Sequence, residues 1–218
     1  IEDQRFWTHN GIDVRGIFRA FAKGAASGHF NEGASTLTQQ LIKNQVFNVG
    51  LDETTFMDKL ERKIQEQYLA IELEKQYTKE QIVEYYLNTI YLGRGVSGVQ
   101  AASEKYFGKD MTELTISEIA VIAGIPQNPS RYDPVANPDE NKKRRAEVLK
   151  KMLDQEYITQ QQYDEAVADD VYARIDAEHE VQLAESDVNT FYQDAIINGV
   201  IEKFMDMYGC TKSEAENK

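Results

Sequence analysis

MDKLERKIQEQYLAIELEKQ, residues 57–76, decides the class of the fold. Leu60, Ile64, Tyr68 and Ile71 recur at i, i+4, i+8 and i+11, the apolar stripe of a long amphipathic helix. Downstream, Thr78–Gln81 (TKEQ) and Thr115–Glu118 (TISE) both fit a capping box, each opening an apolar run. The second run, IAVIAGI, is apolar nearly all round and reads as a central buried helix that Pro126 ends. Asn137 and Pro138 form a cap and first-turn pair for DENKKRRAEVLKKMLDQ, and Thr159 caps QQQYDEAV. Upstream, Asp13 caps VRGIFRAFAKGAA, with Ile17, Ala20, Phe21 and Gly24 on one face, and Ser35 or Thr36 caps TLTQQLIKNQVF. GHFNEGAS (28–35) and NVGLDETT (48–55) read as loops. Period-two alternation is nearly absent, so the expected class is mostly α, with a helical body over residues 1–168.

The rest of the chain differs in character. DDVYARIDAEHEVQLAES (169–186) has no clear period and reads as a linker with room for a short strand. FYQDAIINGVIEKFMDMYG (191–209) is an amphipathic helix with Phe191, Ile196, Ile197, Val200 and Phe204 as its apolar set. The net charge of −13 is concentrated here: residues 164–218 carry −10 and residues 1–163 only −3. A nearly balanced body with an acidic tail argues against a nucleic-acid-binding surface. At 218 residues the chain can bury a sizeable core without staples, and its single Cys210 has no internal partner. No window approaches the ~20 apolar residues of a membrane span, and Ile1 opens no signal-peptide pattern.

Metal and nucleotide chemistry find little support. His9, His29 and His179 lie far apart without zinc spacing, GRGVSG (93–98) follows a helix rather than a strand, and no Ser-x-x-Lys nucleophile motif occurs. Carboxylates, amides and cations remain. Arg62 and Glu66 are one helical turn apart, Lys63 lies three before Glu66, and Lys59 joins the same broad face; alone, this is a surface ion pair worth a few tenths of a kcal/mol. Gln39, Gln40 and Lys43 sit near a capped helix N-terminus, either as polar surface or as amides and a cation offered to a phosphate. Arg144 and Arg145 read as a solvated face. Glu2 and Asp3 are either solvated charges or part of a site.

The order of these pieces adds to that reading. EDQRFWTHNG (2–11), GASTLTQQLIKN (33–44), RKIQE (62–66), KEQIVEYYLNTIYLGRG (79–95) and RRAEVL (144–149) resemble the five successive motifs of the peptidoglycan glycosyltransferase domain. That domain occurs in class A penicillin-binding proteins and in monofunctional transglycosylases. The resemblance runs from Ile1 to about Ala168, taking in YFGK and IPQNPSRYDP. Ala34 departs from it, standing where a second Gly is common.

The resemblance implies a lysozyme-like, multi-helix domain over 1–168. Residues 169–218 would be the linker and the start of a segment leading to a transpeptidase domain, in a fragment of a bifunctional protein. The implied reaction polymerises lipid II into β-1,4 glycan strands with inversion, releasing polyprenyl pyrophosphate. Glu2 matches the general base and Glu66 the second essential carboxylate, on the pyrophosphate side. Gln40, Lys43 and Lys63 match the donor's phosphosugar site, with Ser35, Gln39, Arg62 and His9 beside them. Such an enzyme requires no cofactor, with a divalent cation (Mg or Mn) at most a stimulant, and it binds moenomycin-type phosphoglycolipids. Its place is the extracytoplasmic face of the bacterial cytoplasmic membrane, where other cell-wall synthesis proteins are candidate partners, and Phe18, Phe21, Phe30 and Phe47 are the residues to inspect for membrane contact. Two other classes use similar materials: a lysozyme-like hydrolase or lytic transglycosylase with a glutamate acid, and a non-catalytic module of a wall-synthesis complex.

Overall fold

The computed structural model describes residues 2–27, 33–47 and 55–176, together with Gly199, Glu202 and Met205. Phe30, Phe191, Cys210 and, apart from Gly199, Glu202 and Met205, the expected C-terminal helix lie outside the described residues, as does the side chain of Phe21. Eight α-helices make up most of what is described: α1 (Val14–Ser27), α2 (Leu37–Val46), α3 (Phe56–Gln76), α4 (Lys79–Thr89), α5 (Val99–Phe107), α6 (Ile116–Gly124), α7 (Pro138–Asp154) and α8 (Gln160–Ala168). The only extended pairing among the described residues is two isolated bridges, Asn10 with Ile12 and Tyr91 with Ser97. The mostly α class is therefore as expected. Among the described residues no helix is long and apolar enough to cross a membrane.

The helix starts follow the sequence signals closely. Asp13 Oδ1 accepts from Gly16 N at 2.8 Å, capping α1. Of the two candidates for α2 it is Thr36 that caps, reciprocally with Gln39. Thr55, Thr115 and Thr159 make the same reciprocal box with Asp58, Glu118 and Gln162. Each box satisfies two orphan N–H groups and is worth about 1 kcal/mol. Asn137 occupies the cap position of α7, yet its side chain donates to Ser130 O instead of closing the helix.

The chain divides into two compact units, one of residues 2–86 and one of residues 87–176 within the described part. In the first, α2 packs on α3, burying Leu41 and Ile42 from one helix and Leu69, Ala70 and Leu73 from the other. In the second, α6 packs on α7 and α7 on α8 around Ala120, Val148, Leu149, Ile158 and Ala166. Val171–Arg174 form a 3-10 turn with Val171 fully buried, where the sequence suggests a linker. Tyr172 there donates to Asn141 Oδ1 at 2.7 Å, tying the turn to α7.

One expectation about α3 is reversed. The stripe that announces the helix faces outward: Leu60, Ile64 and Tyr68 are exposed, Ile64 by 60%, next to exposed Phe56 and Met57. The buried face is Glu66, Leu69, Ala70 and Leu73. At about 100° per residue these lie on the opposite side of the helix from the stripe. Helix α3 has two apolar faces, and the less conspicuous one meets the core.

Candidate active site

Glu66 is fully buried on α3 and carries a charge, so it must be paired or be very costly. Two cations from its own helix serve it. Arg62 pairs with Oε1 one turn away, and Lys63 Nζ reaches Oε2 at 2.7 Å. Lys63 Nζ also donates to Ser35 Oγ at 2.7 Å, linking the segment ahead of α2 to α3. Three expected site residues, Ser35, Arg62 and Lys63, thus converge on the fourth. The ordinary surface ion pair that spacing alone allows is replaced by a buried carboxylate under two positive groups.

The opening segment is held at several points. Gly11 has φ +81°, and a Cβ there would lie 2.6 Å from the backbone of Ala70 and Ile71 on α3, so only glycine fits. Thr36 Oγ1 donates to Gly11 O at 2.7 Å. Asp3 Oδ2 accepts from Leu37 N at 3.0 Å, the first N–H of α2, and from His9 Nε2 at 2.9 Å. Arg5 Nε donates to Asp13 Oδ2 at 3.1 Å. Asp3, left open by the sequence, is therefore both a long-range helix cap and the partner of His9. His9 in turn is largely buried beside Asp3, Glu74 and Lys79.

On α2 the polar residues take three different positions. Gln39 is buried, with Oε1 accepting from Thr36 N at 3.1 Å, and its Nε2 has no partner among the described residues. Gln40 Oε1 accepts from Tyr86 OH at 3.2 Å, which presents its amino group elsewhere. Lys43, half-buried one turn further on, has no ion pair among the described residues. Burial pushes the Tyr86 phenol well above its ordinary pKa, and the charge of Glu2 adds to that rise, so the hydroxyl stays protonated near Glu2. Tyr86 bonds Gln40 and lies within electrostatic reach of Glu2, and nothing in its spacing announces it.

Arg144 and Arg145 correct the sequence reading. Both are buried, Arg145 to 5% exposure. Arg145 NH2 donates to Ser117 Oγ at 2.9 Å, to Ala166 O and to Asp169 O at 3.3 Å, fastening α7 to α6 and to the end of α8. Arg144 pairs with Glu147 at 2.7 Å and lies 5.9 Å from the Tyr132 ring. No group of three or more His, Cys, Asp or Glu that could hold a metal is present among the described residues.

Glu66 is thus a buried carboxylate under two cations, and the sequence assigns the class of the domain that holds it: residues 1–153 match the transglycosylase family, and the chain belongs to it. It is similar to penicillin-binding protein 1A of Escherichia coli strain K12, at 47% identity over 176 residues, covering 81% of this chain and 20% of that one. Similarity to penicillin-binding protein 1F of Bacillus subtilis strain 168 is 46% over 159 residues, covering 73% and 21%. The crystal structure of penicillin-binding protein 1A from Haemophilus influenzae superposes with a TM-score of 0.43 at 37% identity, covering 56% of this chain and 18% of that chain. The chain spans about a fifth of the length of these curated relatives.

Proposed function

We propose that this domain polymerises lipid II, using Glu2 as general base and the Glu66 cluster on the pyrophosphate side. The observation that carries this reading is the buried Glu66 with Arg62 and Lys63 upon it and Ser35 on Lys63. The 4-hydroxyl of the incoming lipid II attacks the anomeric carbon of the growing strand. The carbon–oxygen bond to pyrophosphate breaks, the leaving oxygen keeps the electron pair, and Glu2 takes the hydroxyl proton. A positioned base contributes about 10² to 10⁴ in rate. The departing pyrophosphate needs charge stabilisation, which Lys43, Lys63 and Arg62 supply through charge-assisted hydrogen bonds of roughly 1.5 to 3 kcal/mol each. A single displacement inverts the anomeric centre and calls for no enzyme nucleophile.

The exposed stripe of α3 gives such an enzyme a means of reaching a lipid-linked substrate. Phe56, Met57, Leu60 and Ile64 are exposed together, and Lys59 is exposed among them. Phe18 on α1 is 71% exposed. Apolar groups interleaved with a cation suit the interface of a phospholipid bilayer, here the extracytoplasmic face of the cytoplasmic membrane.

Two measurements test these readings. Lipid II incubated with the chain should yield polymer, and Glu2→Gln should lower the rate about 10² to 10⁴-fold with the melting temperature unchanged. Cleavage of finished glycan without polymerisation would establish the hydrolase reading instead. Ile64→Glu should reduce co-sedimentation with phospholipid vesicles by about tenfold, in line with ~1.4 kcal/mol per decade. Equal sedimentation of variant and parent would remove the stripe from membrane contact.

A further inference from the structure

Behind the opening segment lies a chain of buried charges that the proposed reaction does not use. His9 donates from Nε2 to Asp3 at 2.9 Å, so that nitrogen carries the hydrogen. Its Nδ1 faces Lys79 Nζ at 3.4 Å and Glu74 Oε1 at 3.8 Å. Lys79 Nζ reaches Glu74 Oε2 at 2.7 Å and sits 4.4 Å from the centroid of the buried Phe6 ring. Glu74 Oε1 accepts from Thr38 Oγ1 at 2.5 Å. The side chains of Asp3, His9 and Glu74 are less than a tenth exposed, and that of Lys79 less than a fifth.

Both distal charges stand at the end of their helix that the macrodipole disfavours. Lys79 is the first residue of α4, and Glu74 lies in the last turn of α3. Neither is there for the good of its own helix. We propose that Lys79 and Glu74 are positioning residues that fix the tautomer of His9, and through Asp3 hold the segment bearing Glu2, a role that rests on reading Glu2 as the base.

The ammonium beside Nδ1 donates to its lone pair, which keeps the hydrogen on Nε2. Asp3 can then accept from His9 and from Leu37 N on one oxygen. Glu74 holds the ammonium in place, and Thr38 holds Glu74. Remove the cation, and Nδ1 faces the Glu74 carboxylate alone, which favours the tautomer with its hydrogen on Nδ1. With the hydrogen moved to Nδ1, Nε2 turns a lone pair toward Asp3, the His9–Asp3 bond is lost, and the carboxylate that accepts from Leu37 N is no longer oriented by His9. Asp3 is the neighbour of Glu2 in the chain, so the base moves with it. A misplacement on the scale of an ångström costs about 10²-fold in rate.

The test is Lys79→Met in the full chain, with Lys79→Arg as the conservative partner. Histidine 15N spectra, with His9 assigned by His9→Gln, should show Nε2 protonated and Nδ1 unprotonated in the parent and the reverse in Lys79→Met. The kcat for lipid II polymerisation should fall by about tenfold or more, with KM within about twofold. Lys79→Arg should restore at least half of the parent kcat. If Lys79→Met does not fold, Glu74→Gln, which keeps the shape and an acceptor for Thr38, should lower kcat in the same way. An unchanged His9 tautomer, an unchanged kcat, or a fall without rescue by arginine would overturn the proposal. Glu2→Gln separates the two readings. If it stays active, the base assignment fails while the spectra still judge the tautomer; if it is inactive and Lys79→Met is not, only the positioning role fails.

Discussion

In residues 87–176 buried charge ends partly on backbone groups, whereas in residues 2–86 the most deeply buried carboxylate, Glu66, meets side-chain cations alone among the described residues. Arg145 donates to a hydroxyl and two backbone carbonyls, and Glu118 is buried under Lys109, Arg174 and its own capping box. Burial alone would push the Glu118 carboxyl up, but the bonds from Lys109, Thr115 and Arg174 hold it below the usual range. Glu66 is as deeply buried and likewise meets one lysine and one arginine, but no backbone N–H donates to it among the described residues, and Lys43 on α2 has no counter-ion among them. Counting charges does not separate the two units. What separates Glu118 from Glu66 is whether a backbone N–H shares in closing the carboxylate's hydrogen bonds.

The contrast can be broken most sharply by a matched pair of substitutions. Arg145→Met should destabilise the fold by about 2 to 3 kcal/mol, because Ala166 O and Asp169 O lose a charged donor in a buried setting. Polymerisation by the molecules that remain folded should be unchanged. Lys43→Ala should do the opposite: stability within about 0.5 kcal/mol of the parent, and affinity for a moenomycin-type phosphoglycolipid lower by about tenfold or more, the value of one charge-assisted hydrogen bond. Denaturant melts and a binding titration on both proteins decide it. If Lys43→Ala melts like Arg145→Met, or if Arg145→Met loses activity while folded, the division between the two units is wrong.

Much of this was legible in the sequence, but unevenly. The five capped helix starts at Asp13, Thr36, Thr78, Thr115 and Thr159 follow local hydrogen bonding, which the sequence carries within four residues. The TLTQ box at 36–39 also shows, in hindsight, that Gln39 belongs to a cap and faces inward. The burial of α3 was misread because periodicity marks apolar faces and not which of two will meet the core. There, Ala70 admits the Gly11 backbone and Glu66 arrives already paired, so a small and partly charged face can be buried. The sequence reads Arg144 and Arg145 as surface because the acceptors that bury Arg145, at Ser117, Ala166 and Asp169, are 21 to 28 residues away. Tyr86 and Lys79 were passed over for the same reason: their partners, Gln40 and His9, lie 46 and 70 residues off.

The smallest effect tests the structural side of the comparison. Arg174 donates to both oxygens of Asp169, at 2.8 and 2.6 Å, and holds that carboxyl at about 2, well below its ordinary value. Its folded pKa is depressed, so the stabilisation is present above the unfolded value near 3.8 and is lost as pH falls toward about 2. The Arg174 side chain is 43% exposed, so solvent screening keeps the contribution under about 1 kcal/mol. Asp169→Asn should therefore be less stable than the parent by that amount at pH 7, and the gap should close between pH 4 and 2, a window set by the two pKa values. Thermal melts across that range would show it. A gap that persists at pH 2 would mean that Asp169 acts through its position at the end of α8 rather than its charge, and would weaken the view that this unit's charges are closed by structure.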